Sequence, residues 1–467
     1  MRSVLLIDVV GLTQRQIGED SPNLRALAMR GAGAPMTTVL PAVTCSAQAT
    51  MLTGLSPAEH GAVGNGWLDP KTREIALWRQ ANHLVSGEKI YEAARKRDAS
   101  FTCSKLFWWW NLGAQVDWSI TPRPYYPADG RKIPAVYAWP SSYGSEMEDS
   151  LGKFPFFDFW GPKAGLPSSR WIADAAIRTL RTQRPTLTMA YLPHLDYDQQ
   201  RFGPHDARSR KALADIDVVI GDMIAAADEV GAETVVVSEY GIMPVDKPVA
   251  INLALRDAGL LQIRETPNGE VLDPFGSDAF AVVDHQLAHV YCKTDAARAR
   301  ATEALSALDG VDALLQGDER ARAGLANERA GDLIAIASKN AWFSYYYWRG
   351  DAAQPDFAPT VDIHRKPGYD PCEMFLNPEL RFPKLRVARR LAQKFSGMRY
   401  LMDVIPTDAS LVRGSHGRLP EDPLDGPVFL CSQPFDECGG DPQQDGVVAM
   451  ESVKERVLDL MELPRAD

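Results

Sequence analysis

The chain has 467 residues, 45% hydrophobic and 24% charged, proportions that exclude a disordered polypeptide. Asp+Glu 61 against Lys+Arg 50 leave a net charge of −11, which excludes a basic nucleic-acid footprint and gives no expectation of a polybasic membrane patch. No apolar run is long enough to cross a bilayer, and the six cysteines (Cys45, Cys103, Cys292, Cys372, Cys431, Cys438) lack paired spacing, so a cytoplasmic location is expected and a Cys-based zinc site is not.

In chain order, Ser3 to Val10 is a continuous apolar run broken by Asp8 and reads as a buried first strand rather than a leader. Ser21-Pro22 starts a helix through Arg30, residues 36–40 suggest the next strand, and a helix from about Ser46 ends near Gly54, before Pro57. Lys89 to Lys96 is a helix and Ser100 to Phe107 a strand. The regular pattern resumes with a helix Arg170 to Thr182, a strand Thr186 to Leu192, a helix His205 to Glu229 and a strand Glu233 to Glu239. Residues 248–262 suggest a helix, Ala279 to Tyr291 a strand, Asp295 to Leu308 a helix, Asp332 to Ala337 and Val428 to Cys431 strands, and Val447 to Met461 a closing helix. Such alternation predicts an α/β fold in three layers around a largely parallel sheet, as one catalytic domain over 1–467.

Two stretches break the pattern. Residues 108–164 crowd tryptophans, tyrosines, phenylalanines and prolines without helical or alternating period, and are expected to form an insertion, a lid or cap, over the core. Its rings favour a substrate with an apolar or planar group. Residues 349–383, rich in Gly, Pro and Asp, read as a functional loop region that includes His364, a candidate ligand or catalytic group, and Asp370.

Candidate chemistry gathers at strand ends, where open α/β sheets place their sites. Asp8 ends the first strand, Asp196 follows Tyr191-Leu192, Glu239 ends Thr234 to Ser238, and His416 sits in Gly414-Ser415-His416-Gly417. Converging carboxylates and histidines are ingredients of a divalent-metal site. Thr44, where a β-like run gives way to a helix, suits either an N-cap or a nucleophile beside the positive end of a helix dipole, and Ser46 competes for both roles. His60 reads as structural beside Gly61, while His285 and His289 read as satisfied residues on one face of a strand.

Taken in order, Asp8, Thr44 in Pro-x-x-Thr, Thr53-Gly54-Leu55-Ser56-Pro57-Ala58-Glu59-His60-Gly61, Asn65-Gly66-Trp67, Asp196, Ser238-Glu239-Tyr240-Gly241 and His416-Gly417 resemble the alkaline phosphatase superfamily, in its nucleotide pyrophosphatase/phosphodiesterase branch. The resemblance implies a hydrolase of a small phosphodiester, pyrophosphate or phosphonate, with Thr44 as nucleophile between two divalent ions, usually zinc. By motif, Asp8, Thr44 and Glu239 would hold one ion, Asp196 and His416 the other, with His364 as a possible substitute ligand, and Asn65 and Trp67 would bind substrate. Sulfatases of that superfamily use a modified Cys, but Ala47 and Ala49 stand in the Pro and Arg places of their motif, so Cys45 reads as packing. Two departures matter: Gln200 and Tyr240 stand where the family has histidine ligands. Losing nitrogen donors favours Mn, Mg, Ca or Fe over zinc, and admits an alternative, a catalytically impaired member acting as a binding or scaffold protein.

Overall fold

Val4, Leu5, Leu6, Ile7 and Val9 are all buried, so the strand Ser3–Val9 is covered on both faces, which is why its apolar run is continuous rather than alternating. The computed structural model describes residues 1–128, 131–442 and 445–463. Ser3–Val9 pairs in parallel with Leu187–Leu192 on one side and Ala232–Val237 on the other. Beyond Leu187–Leu192 follow Cys103–Leu106 and Trp118–Pro122, both parallel, then Val136–Trp139, antiparallel. Beyond Ala232–Val237 come Val428–Cys431 and the edge strand Ala32–Pro35, both antiparallel, completing an 8-stranded sheet. The helices Leu166–Thr182 and Ala207–Val230 pack together, and Thr44–Thr53 packs against Val453–Leu460. This is the expected mixed α/β architecture with a largely parallel sheet.

A smaller antiparallel sheet, in the order Ala279–Asp284, Leu287–Cys292, Leu333–Ala337 and Val311–Leu315, has its own buried cluster that includes Phe280, Leu305, Phe343 and Tyr347. The single strand expected over Ala279 to Tyr291 is therefore a hairpin. It reverses at His285, whose φ is +62°, and Gln286, with no Gly, Pro or Asn to mark the turn. The strand expected at 36–40 lies earlier, at Ala32–Pro35, because the Met36 and Thr37 N–H groups are spent on the Pro427 and Val448 carbonyls.

The aromatic stretch is not a cap over the core. Trp108 and Trp110 are fully buried, and Trp118–Pro122 and Val136–Trp139 are strands of the main sheet. The indole N–H groups of Trp108, Trp109 and Trp110 donate to the carbonyls of Ala190, Arg79 and Cys45, which removes the cost of burying them. Residues 129–130 of that stretch lie outside the described residues. The 349–383 region is irregular and is followed by a helix, Pro383–Phe395, that the sequence pattern did not suggest.

Candidate active site

Thr44 is the first residue of its helix, with extended Val43 at the N-cap position. Its hydroxyl is therefore not a cap: Oγ1 donates to Glu239 Oε2 at 2.7 Å and lies 3.4 Å from the Tyr240 hydroxyl. Ser46 is no competitor, since its hydroxyl donates to the Ala62 carbonyl at 2.8 Å. One turn along the same helix, Gln48 reaches the same place. Its Nε2 donates to Glu239 Oε1 at 2.7 Å and Asp8 Oδ2 at 3.1 Å, while its Oε1 accepts the Trp109 backbone N–H at 2.6 Å, which fixes the amide's orientation.

Asp196 and Gln200 lie one turn apart on the helix His194–Phe202, so both side chains share a face. Gln200 Nε2 donates to Asp196 Oδ2 at 2.7 Å, the Tyr240 hydroxyl donates to Asp196 Oδ1 at 3.3 Å, and Tyr369 donates to Gln200 Oε1 at 3.0 Å. The Tyr240 ring stacks on His416 with centroids 3.5 Å apart, and His285 lies between His416 and Tyr369 at 3.6 and 3.7 Å. His416 Nδ1 donates to the Ala42 carbonyl at 2.7 Å, so its neutral ring presents Nε2 as an acceptor.

Burial dominates the electrostatics. It pushes Asp8 well above the usual carboxylate range, an effect the Glu239 charge reinforces. Glu239 rises to about 7 by burial, against hydrogen bonds from Asp8, Thr44 and Gln48 that favour its charged form. Asp196 rises to about 6 and Asp284 to about 7, both from burial, while burial lowers His416 to about 3.

The structure brings Asp8, Thr44, Glu239, Tyr240, Asp196, Gln200 and His416 together at the carboxyl end of the sheet. Asn65 is adjacent but engaged: its Oδ1 accepts the Cys45 N–H at 3.0 Å and its Nδ2 donates to Asp284 Oδ1 at 3.0 Å. Trp67 is buried, stacked on Trp110 at 6.3 Å with the Arg329 guanidinium 4.9 Å from its ring centre. His364 does not join the cluster; it is exposed and accompanied by Lys132, Asp362, Arg79 and the Leu77 backbone. Asp370 is spent on an ion pair with Lys366 at 2.7 Å and on the Cys372 N–H at 3.0 Å.

Gln48, Asp284, His285 and Tyr369 were missed by sequence reasoning. Gln48 had a usable signal, its position one turn beyond Thr44. His285 corrects the reading of a satisfied sheet residue: the hairpin tip carries it onto His416, whereas His289 is satisfied by Val63 O at 2.9 Å and the Gly331 N–H at 3.1 Å.

The donors do not fit a pair of zinc ions. Among the described residues no three His, Cys, Asp or Glu side chains converge to hold an ion. Between Asp8 and Glu239 stands an amide N–H donor, and both Asp196 oxygens accept from Gln200 and Tyr240. Asp8 Oδ1 and His416 Nε2 are the site atoms of the implied ligand set left without a hydrogen bond.

A central, largely parallel sheet bearing acidic strand ends, with a hydroxyl at a helix N-terminus over its carboxyl edge, is an alkaline-phosphatase-like fold. The type I phosphodiesterase / nucleotide pyrophosphatase profile matches residues 4–370, so the chain belongs to that family of phosphoric ester hydrolases. An uncharacterized pyrophosphatase/phosphodiesterase of Schizosaccharomyces pombe is 25% identical over 232 residues, 48% of this chain and only 41% of that relative's length. Phosphonoacetate hydrolase from Sinorhizobium meliloti, solved with phosphonoformate, superposes with a TM-score of 0.62 at 17% identity, covering 98% of this chain and 96% of the other. Murine ectonucleotide pyrophosphatase / phosphodiesterase 5, in an inactive form with AMP, gives 0.57 at 13% identity, covering 100% and 96%. At these identities the two structures show a shared fold.

Proposed function

We propose that the chain hydrolyses a small phosphoryl compound, a phosphodiester, pyrophosphate or phosphonate, with Thr44 as the nucleophile. One observation carries this reading: the Thr44 hydroxyl, buried at the start of a helix, donates to the Glu239 carboxylate at 2.7 Å. Glu239 takes the hydroxyl proton as Oγ1 attacks phosphorus, the bond to the leaving group breaks, and water then cleaves the Thr44 phosphoryl ester. N–H groups of the first helical turn and the dipole's positive end favour the anionic phosphoryl group. An apolar or planar leaving group would lie against Trp78 and Trp160, which flank Tyr369 at 6.3 and 5.6 Å. The phosphonoformate and AMP held by the two structural relatives support a phosphoryl ligand. The six cysteines, all free, support a cytoplasmic location.

Because the donors do not fit paired ions, Thr44 and Glu239 carry the reaction by themselves, and turnover is expected to survive dialysis against a chelator. Thr44→Ala is expected to lower turnover of aryl phosphodiesters, nucleoside triphosphates and phosphonoacetate by about a thousandfold or more, with the circular dichroism unchanged. Equal rates for the two proteins would remove Thr44 as nucleophile. A second reading, a binding protein that has lost catalysis, is favoured by the donors from Gln48, Gln200 and Tyr240 that occupy the carboxylates. Calorimetric binding of AMP or phosphonoformate with no turnover of any panel compound would establish it.

A further inference from the structure

The segment 380–402 holds seven Lys and Arg and no Asp or Glu, in a chain of net charge −11. Within it the helix Pro383–Phe395 starts with proline at its first position, where no N–H is needed, and stops before Gly397. Leu385, Ala388, Ala392 and Phe395 are spaced three, four and three apart and so share one face.

That face points away from the protein. Leu385 is 67% exposed and Phe395 86%, with Phe382 at 61% and Met398 at 55% beside them. The helix is held instead by its arginines: Arg386 and Arg390 turn back onto Asp403, the latter with two bonds of 2.9 Å. A surface helix ordinarily buries its apolar stripe and shows its charges to water. Here an apolar stripe faces outward, flanked by the exposed cations Arg381, Lys384, Arg389 and Arg399.

We propose that this helix docks the protein on an anionic phospholipid surface, lying in the interface with Leu385 and Phe395 among the acyl chains and the flanking cations on the headgroups. Charge complementarity selects the occupant. A second copy of the helix would set like charges against like, whereas anionic headgroups match every flanking cation and acyl chains match the stripe. No helix among the described residues is long and apolar enough to cross a membrane, so the attachment is peripheral. The sequence reading expected no polybasic patch because the acidic remainder of the chain hides this segment in the net charge.

The test is cosedimentation of the full chain with vesicles of phosphatidylcholine alone and of phosphatidylcholine containing phosphatidylserine. Binding to the anionic vesicles is expected to exceed that to the neutral ones by about tenfold or more and to weaken as salt is raised. The double variant Leu385→Asp with Phe395→Asp, and separately Lys384→Gln with Arg389→Gln, are each expected to lower that binding about tenfold, with thermal unfolding unchanged because all four side chains are exposed. Equal binding to both vesicle types, or none to either, overturns the proposal. So does self-association of the parent in sedimentation velocity that Phe395→Asp abolishes, or specific capture by an acidic protein without vesicle binding.

Discussion

Gln48 reaches from the second turn of its helix to carboxylates delivered by two different strands, and its own carbonyl is held by a third segment through Trp109. Gln48→Met keeps the length and removes both donors and the acceptor, leaving buried groups on three partners unpaired at about 1–3 kcal/mol each. A destabilisation of roughly 3–9 kcal/mol is expected, read as a fall in the urea midpoint at constant m-value. At this scale Asp8, Thr44, Asp196, Glu239 and His416 were legible because strand ends and helix starts are where a parallel sheet exposes function. Gln48 carried only the signal of its place one turn beyond Thr44, since a neutral amide inside a helix adds no charge pattern. Asp284 and His285 were not legible, because the turn that brings them in, Asp284-His285-Gln286, carries no Gly, Pro or Asn to mark it.

The loop 349–383 and the hairpin 279–292 show how elements supply what local pattern omits. Gly368 bridges to Val283 of the hairpin, and a Cβ at Gly368 would meet the Val283 side chain at 2.3 Å, so the loop is seated flush on the second sheet. Beneath it Lys366 is fully buried and pairs with Asp370 and Glu373, each at 2.7 Å. Lys366→Met leaves two buried carboxylates without their cation and is expected to destabilise by about 3–5 kcal/mol. The measurement is chemical denaturation at neutral pH, and adding Asp370→Asn and Glu373→Gln to the same chain should recover most of the loss. The sequence marked this loop as functional from its composition; the structure gives His364 and Asp370 other surroundings and instead lends the site Tyr369.

Across the whole molecule, several histidines are buried in neutral form. His60 accepts the Ala62 N–H at 3.0 Å and stands 3.0 Å from Thr50 Oγ1, and burial lowers it to about 3, while His289 falls to about 4 for the same reason. The unfolded chain binds protons at these rings from about pH 6.5 downward and the folded chain does not. Their contribution to stability is thus complete above about pH 6.5 and is lost as the pH falls below it. His60 alone should cost about 2 kcal/mol between pH 7 and pH 5, and His60→Gln should flatten that part of the stability curve, whatever its cost at neutral pH. The central alternation of strands and helices was legible because each strand needs a long apolar run. The second sheet and the outward-facing helix were not, because hairpin turns and unburied stripes violate the patterns that sequence reading relies on.

The strand Val428–Cys431 lies wedged between Ala32–Pro35 and Ala232–Val237, nearly two hundred residues behind the nearer partner. During synthesis the first 370 residues, the whole extent of the family match, emerge with the Ala232–Val237 edge bare and without His416. The nascent chain must keep that edge from pairing with a neighbour until Val428–Cys431 arrives. A gene truncated after residue 370 should accordingly yield inclusion bodies, and a chaperone that shields strand edges should matter more to the yield of this protein than its final stability does.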